Sequence, residues 1–201
     1  MMIDNKTHKE KMQALQTKQR RKTGKASDPG RGLVLVHTGN GKGKSSSAFG
    51  IAARSLGWGH KVGIVQYIKG TWITGEKQFF AKFPNQVDWH TMGEGFTWNT
   101  QDRARDIKAA EAAWTRSCEM MKSGDYDLVV LDEINIAMRY DYLSTEAVLS
   151  GLKLRSPRTS VILTGRDAKD DICEYADLVS EMLEIKHPFQ SGIKSQRGLD
   201  F

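Results

Sequence analysis

The sequence predicts a single α/β domain, doubly wound around a mostly parallel sheet of about six strands, preceded by a basic N-terminal arm. Three observations predict it. From Gly32 onward, short β-type apolar runs alternate with helical ones, the pattern of a parallel sheet wrapped by helices. The glycine-rich stretch "GNGKGKSS" at 39–46 falls between the first apolar run and a helical one. The apolar run "DLVVL" from Asp127 ends in the acidic pair Asp132 and Glu133. At 201 residues the chain can bury a sizeable core without metal or disulfide staples. The expected division is an arm over 1–31 and the domain over 32–201.

The arm carries much of the net charge of +6: in its first 25 residues Lys6, Lys9, Lys11, Lys18, Arg20, Arg21, Lys22 and Lys25 face only Asp4 and Glu10. Helix formers from Lys9 to Lys22 make it capable of helix, and "ASDPGRG" supplies a break before the domain. Three readings stand open: a solvated arm, a nucleic-acid arm, or a helix that folds over an anionic ligand. The expected strands are "LVLVHT" from Leu33, "KVGIVQYI" from Lys61, "VDWHTM" from Val87, "DLVVLDEI" from Asp127, "SVILTG" from Ser160 and "DLVSEMLEI" from Asp177. Their largely unbroken apolar runs predict strands covered on both faces. "SSSAFGIAARSLGWG" reads as the helix after the glycine loop. "TQDRARDIKAAEAAWTRSCEMMKSG" reads as a longer one, with Thr100 as N-cap, Asp102 in the first turn and Gly124 as stop. Another helix is expected from near Ser144 to just before "RSPRTS".

Several chemistries are set aside by what the residues lack. Cys118 and Cys173 have no C-x-x-C or Cys/His spacing, so they read as packed thiols in a reducing compartment. The N-terminus has no apolar core of signal-peptide length, and no run approaches the ~20 apolar residues of a membrane span. The expectation is a soluble, cytoplasmic protein. No H-x-E, H-E-x-x-H, G-x-S-x-G or H-R-D signature is present.

In a doubly wound sheet the ligand sits beyond the carboxyl ends of the strands. The loops "GNGKGKSS", "GEGFTWN" and "DEIN", after the first, third and fourth strands, are therefore where chemistry is expected. Gly39, Gly41 and Gly43 let the backbone curl so that successive N–H groups, with that of Asn40, face inward as an anion nest. The usual phosphate-loop pattern places a glycine where Thr38 stands, so the loop opens oddly. Lys44 supplies a point charge to phosphate oxygens, Lys42 a second cation, and Ser45, followed by Ser46, a hydroxyl for Mg²⁺. Asp132 and Glu133 supply hard oxygen ligands at a strand end; either binds the metal directly while the other holds a metal water. For nucleotide hydrolysis Glu133 would be the base. Arg166 in "TGRD" follows a strand and reads equally as a phosphate contact or an ion-paired surface arginine. Phe96 and Trp98, in a polar glycine-bearing loop, read as core anchors or as a surface for something flat. On these residues alone a RecA-like or kinase-like ATPase, with nucleic acid as a partner of the arm, remains an alternative.

Taken together and in order, "GNGKGKSS", "AFGIAARSLGWGHKVGIVQYIKG", "MGEGFTW", "DLVVLDEIN", "ILTGR" and the tail "KHPFQSGIKSQRGLDF" resemble the bacterial P-loop type of ATP:corrinoid adenosyltransferase of the cobalamin pathway. The resemblance runs from Gly32 to Phe201. It implies a P-loop NTPase-like fold and transfer of the 5′-deoxyadenosyl group of ATP to Co(I) of a corrinoid, with triphosphate released. It implies Mg²⁺, or Mn²⁺, near Ser45 and Asp132 or Glu133, and ATP reversed along the loop so that the loop grips the terminal phosphate. Phe96 and Trp98 match aromatics that occupy the lower corrin face and exclude an axial ligand, which eases reduction of Co(II). Reduced flavodoxin or dihydroflavin as electron donor, a homodimer, and an arm that closes over the site are implied in the same way. The family often has Thr where Ser45 stands; both offer a hydroxyl.

Overall fold

The computed structural model describes residues 5–68, 70, 73–93 and 102–200. The chain falls into two units, 1–30 and 31–201. The first contains helix α1, Asn5–Thr23, longer than the expected helical stretch at both ends. Arg20, Arg21 and Lys22 fill its last turn, where cations complement the negative end of the helix dipole. No helix among the described residues is long and apolar enough to cross a membrane.

The second unit is built on six strands, all parallel: β1 Val34–Thr38, β2 Val62–Gln66, β3 Val87–Thr91, β4 Leu128–Asp132, β5 Ser160–Thr164 and β6 Leu178–Glu181. Their order across the sheet is β3-β2-β4-β5-β1-β6. Each expected strand is present, shortened by one to five residues at its ends. The helices are α2 Lys44–Gly57, α3 Gly75–Phe80, α4 Arg103–Ser123, α5 Ile134–Arg139, α6 Thr145–Lys153 and α7 Asp170–Tyr175. A 3-10 turn follows at Pro188–Ser191.

Period-2 alternation divides the core into two layers. Ile64, Val130 and Ile162 face α2 and α3, where Ala48, Phe49, Ala52 and Phe80 cover them. Val65, Val129, Leu131, Val161 and Leu163 face the other way, against Ala113, Met120, Met121, Ile134, Val148 and Ile172 from α4 to α7. In α4 the buried residues Ala110, Ala113, Ser117, Met120 and Met121 recur at helical spacing, and the small ones let the helix lie close to the sheet. Each fully buried Ile or Leu side chain contributes about 1.5–3 kcal/mol.

Two expectations are corrected. The N-cap of α4 is Asp102, whose carboxylate accepts the N–H of Arg105 at 3.1 Å; it had been expected in the first turn. Thr100, the expected cap, lies outside the described residues. The last strand is not covered on both faces: β6 is an edge strand ending at Glu181, and Leu178 and Val179 are exposed. At the other edge, β3 is mostly half-buried. Gly124 does stop α4, at φ 76°, and Ser144 caps α6 by accepting the N–H of Ala147.

The edge strand β6 is fastened to β1 by charge as well as by its ladder. Arg31 lies bidentate on Asp177 at 2.8 and 2.6 Å, and Asp177 also accepts the N–H of Val34 at 2.9 Å. Hydrogen bonding from Arg31, above all, holds the Asp177 carboxyl down at about 2. A carboxylate depressed in the folded state contributes stability that is complete above its unfolded value, about 3.9, and lost as pH falls through the folded value. Asp177→Asn is therefore expected to lower Tm at pH 6, and the gap to wild type to narrow between pH ~4 and ~2. Thermal melts across that range check it; a gap of constant size contradicts the assignment.

Candidate active site

The chain leaves β1 at the carboxyl edge of the sheet and enters α2 through residues 39–43, so the glycine loop sits where helix α2 begins. Gly43 is the N-cap of α2 at φ 113°, a backbone conformation open to glycine and strained for any other residue. No side chain caps this helix, so the N–H groups of its first turn are not taken by a cap. Gly41 is needed for a different reason, its close approach to the segment after β6; its N–H, expected to face inward with the anion nest, instead donates to the Met182 carbonyl at 2.7 Å. A Cβ there would lie 2.6 Å from the Leu183 carbonyl oxygen. The segment after β6 thus forms the outer wall of the loop.

Lys44, the first residue of α2, turns back so that its ammonium donates to the Gly41 carbonyl at 2.6 Å. Burial first, and then the guanidinium of Arg166, push its pKa below the usual lysine value, while the carboxylates of Glu133 and Glu184 act in the opposite direction. Arg166 donates to the Asn40 carbonyl at 3.3 Å. Lys42 forms an ion pair with Asp200 in the C-terminal tail, and this contact holds the Asp200 carboxyl below the ordinary range.

The acidic pair approaches from β4, but β5 stands between β4 and β1. Asp132 is fully buried. Its Oδ1 accepts the Thr164 hydroxyl of β5 at 2.9 Å, and its Oδ2 accepts the Gln66 amide of β2 at 3.0 Å. Glu133 sits at φ 66°, ψ 20° as the N-cap of α5, a left-handed conformation costing a non-glycine residue about 1–3 kcal/mol. Its N–H donates to the Thr164 hydroxyl at 2.9 Å. The left-handed turn lets the chain pass from strand to helix in one residue. Asp132 stays behind in the sheet, and Glu133 is placed on the wall of the cleft. Asn135, buried in α5, donates to the Gly165 carbonyl at 3.1 Å and so braces the turn that carries Arg166.

These groups line one open cleft of about 620 Å³. Its walls include Lys42, Gly43, Lys44, Ser45 and Ser46 of the loop, Glu133, Ile136, Arg139 and Tyr140 from the α5 segment, Gly165 and Arg166 after β5, and Leu199 and Asp200 of the tail. Cations, first-turn N–H groups, a hydroxyl and a carboxylate thus converge on one space. That arrangement suits a polyphosphate with a hard cation.

Of the residues singled out from sequence, Lys42, Gly43, Lys44, Ser45, Ser46, Glu133 and Arg166 line this cleft; Gly39, Asn40 and Gly41 belong to the same loop but not to the cleft wall. Asp132 lies immediately behind it. Phe96 and Trp98 lie outside the described residues. Sequence reasoning missed Gln66, Thr164, Asn135 and Asp200. The signal for Thr164 and Gln66 was present: each is a polar residue closing an apolar run, "VILT" and "VGIVQ".

Fold and cleft together define a nucleotide-binding protein of the P-loop NTPase-like α/β class. The family model described as ATP:corrinoid adenosyltransferase BtuR/CobO/CobP matches residues 30–201, and the chain belongs to that family of enzymes. The chain is 51% identical over 194 residues to the corrinoid adenosyltransferase of Pseudomonas aeruginosa, covering 96% of this chain and 95% of that protein. It is 41% identical to the corrinoid adenosyltransferase of Escherichia coli strain K12 over 199 residues, 99% of this chain and all of that protein. It is 46% identical to the corrinoid adenosyltransferase CobA of Salmonella typhimurium over 171 residues, 85% of this chain and 86% of that protein.

Proposed function

We propose that this enzyme transfers the 5′-deoxyadenosyl group of ATP to Co(I) of a corrinoid, in adenosylcobalamin biosynthesis or salvage. The Co(I) electron pair attacks C5′ of the ribose; the cobalt–carbon bond forms as the C5′–O bond breaks. The triphosphate departs with that bonding pair. Because the corrinoid supplies the nucleophile, the protein's task is to orient C5′ and to hold the charge on the leaving triphosphate. The observation that carries this reading is the convergence of Lys44, Arg166 and the α2 N-terminus on one cleft, in a chain whose family match spans the whole second unit. Family membership favours it over the RecA-like or kinase-like alternative.

In this reading the loop holds the terminal phosphate, with Lys44 and Arg166 on its oxygens. Lys42 joins them once a phosphate replaces Asp200. The donors at the cleft fit Mg²⁺, or Mn²⁺: the Ser45 hydroxyl and the Glu133 carboxylate line the same space, and buried Asp132 stands behind them. When bound, the ion would neutralise triphosphate charge. Phe96 and Trp98 are assigned to the lower corrin face, and the arm over 1–31 to closing the site. Reduced flavodoxin or dihydroflavin is the proposed electron donor, the homodimer the proposed assembly and the cytoplasm the proposed location.

Incubation with ATP, Mg²⁺ and chemically generated Co(I) corrinoid tests the reading. The expected result is a light-sensitive cobalt–carbon product in equal amount with inorganic triphosphate. Release of ADP and phosphate independent of corrinoid overturns it.

A further inference from the structure

We propose that Gln66 is a positioning residue for Asp132, fixing the orientation of that carboxylate at the metal side of the cleft, and that Thr91 sets Gln66 in turn. The inference rests on the reading of Asp132 as a metal-site carboxylate.

The sheet register places the three residues in one row. Gln66 is directly paired with Thr91 of β3 on one side and with Asp132 of β4 on the other. Residues directly opposite one another on adjacent strands project to the same face, so the amide of Gln66 lies between the other two side chains. It is an amide in an unusual place. The four residues before it in β2 are Val62, Gly63, Ile64 and Val65, all buried, and Gln66 itself is only 3% exposed. An apolar residue would fill such a position without the desolvation that a buried amide pays.

The row explains the amide. A carboxylate can only accept, so the Gln66 NH₂ group must face Asp132, where it donates to Oδ2 at 3.0 Å. The amide oxygen is thereby turned towards β3, where the Thr91 hydroxyl reaches it at 3.5 Å. That hydroxyl also receives the Lys77 ammonium and the Trp89 indole N–H, each at 3.2 Å, so its proton is directed at Gln66. On the far side, Thr164 holds Oδ1 of Asp132. The carboxylate is gripped from β2 and from β5 at once, and its plane cannot turn without breaking one bond. An ion or metal-bound water approaching it would meet lone pairs already aimed. Removing the donor leaves Asp132 buried without its grip from β2, so the plane of the carboxylate is fixed less tightly.

The experiment is a double-mutant cycle on ATP binding, measured by calorimetry with the full chain across a magnesium titration and again in EDTA. Gln66→Met keeps length and burial but loses the donor. It is expected to weaken Mg²⁺-dependent ATP binding about tenfold, the scale of one hydrogen bond to a charged group, and to leave binding in EDTA unchanged. In an Asp132→Asn background it should add less than about twofold, because its effect passes through that carboxylate. Thr91→Val, a shape-conserving change on a half-buried edge strand, should shift the same titration in the same direction by a smaller factor. It decides the matter if a melting curve shows that Gln66→Met does not fold. The proposal is overturned if the decisive variant binds like wild type, if its loss is equal with and without magnesium, or if the Gln66 and Asp132 losses add in full. An Asp132→Asn chain with wild-type magnesium dependence would overturn the metal reading itself. A response to Asp132→Asn with none to Gln66→Met would overturn only the positioning role.

Discussion

Lys44→Ala is expected to lower kcat/KM for ATP by about 10²- to 10³-fold in an assay supplied with pre-reduced Co(I) corrinoid. Lys44 stands at the start of α2 with its ammonium folded onto the loop at Gly41, partly desolvated, and feels the Arg166 guanidinium and the carboxylates of Glu133 and Glu184. The other cations described at this cleft have contacts of their own: Arg166 is directed at the loop through Asn40, Lys42 is paired with Asp200 and Arg139 with Asp167. How the loss divides between the two kinetic constants is informative. With the terminal phosphate in the loop, Lys44 is a full triphosphate length from the C5′–O bond that breaks, and most of the loss belongs in KM. A loss confined to kcat contradicts the reversed orientation of ATP. Activity within about twofold of wild type would remove Lys44 from the site altogether.

Gly41→Ala should do comparable damage by a steric route. The added methyl would meet the Leu183 backbone at 2.6–2.7 Å, a contact with no flexible side chain to give way. Either the loop or the segment after β6 must move, and insertion of this kind costs about 1–3 kcal/mol. For a chain of this size that is a fall in Tm of roughly 2–10 °C. The displaced loop should also bind ATP at least tenfold more weakly, since a shift of about 1 Å at a positioning element can cost 10²-fold. Thermal melts and ATP calorimetry on the same preparation check both halves. A variant that melts and binds like wild type would falsify the close approach of the two segments.

The two predictions separate what the sequence disclosed from what it withheld. Lys44 was legible, because an apolar run, a glycine loop and a helical run identify a phosphate loop without knowledge of anything distant. The six strands were legible too, since long buried runs such as "LVVL" leave little choice of element. The need for glycine at 41 was not. It arises from a neighbour brought in by sheet order, and no local pattern announces that β6 lies beside β1. The same reason hid β5 between β4 and β1, and with it the place of Thr164. The short helices α3, α5 and α7, of six residues each, are too brief for helical periodicity to register. Asp132 and Glu133 were read together as metal ligands. The left-handed backbone of Glu133 sends them to different places, one to the cleft wall and one into the buried row.

The wall that residues 182–183 give the glycine loop also bears on how the protein is made. The loop is among the first parts of the domain to leave the ribosome, and its support is among the last. Until β6 has emerged and docked on β1, Gly39 and Gly41 lack the backbone they pack against, however complete the rest of the sheet. The nucleotide site is therefore one of the longest-range features of the chain, and contacts of that range are slow to form because loop closure must come first. A chain stopped short of Met182 would carry every residue of the phosphate loop and lack the wall that shapes it.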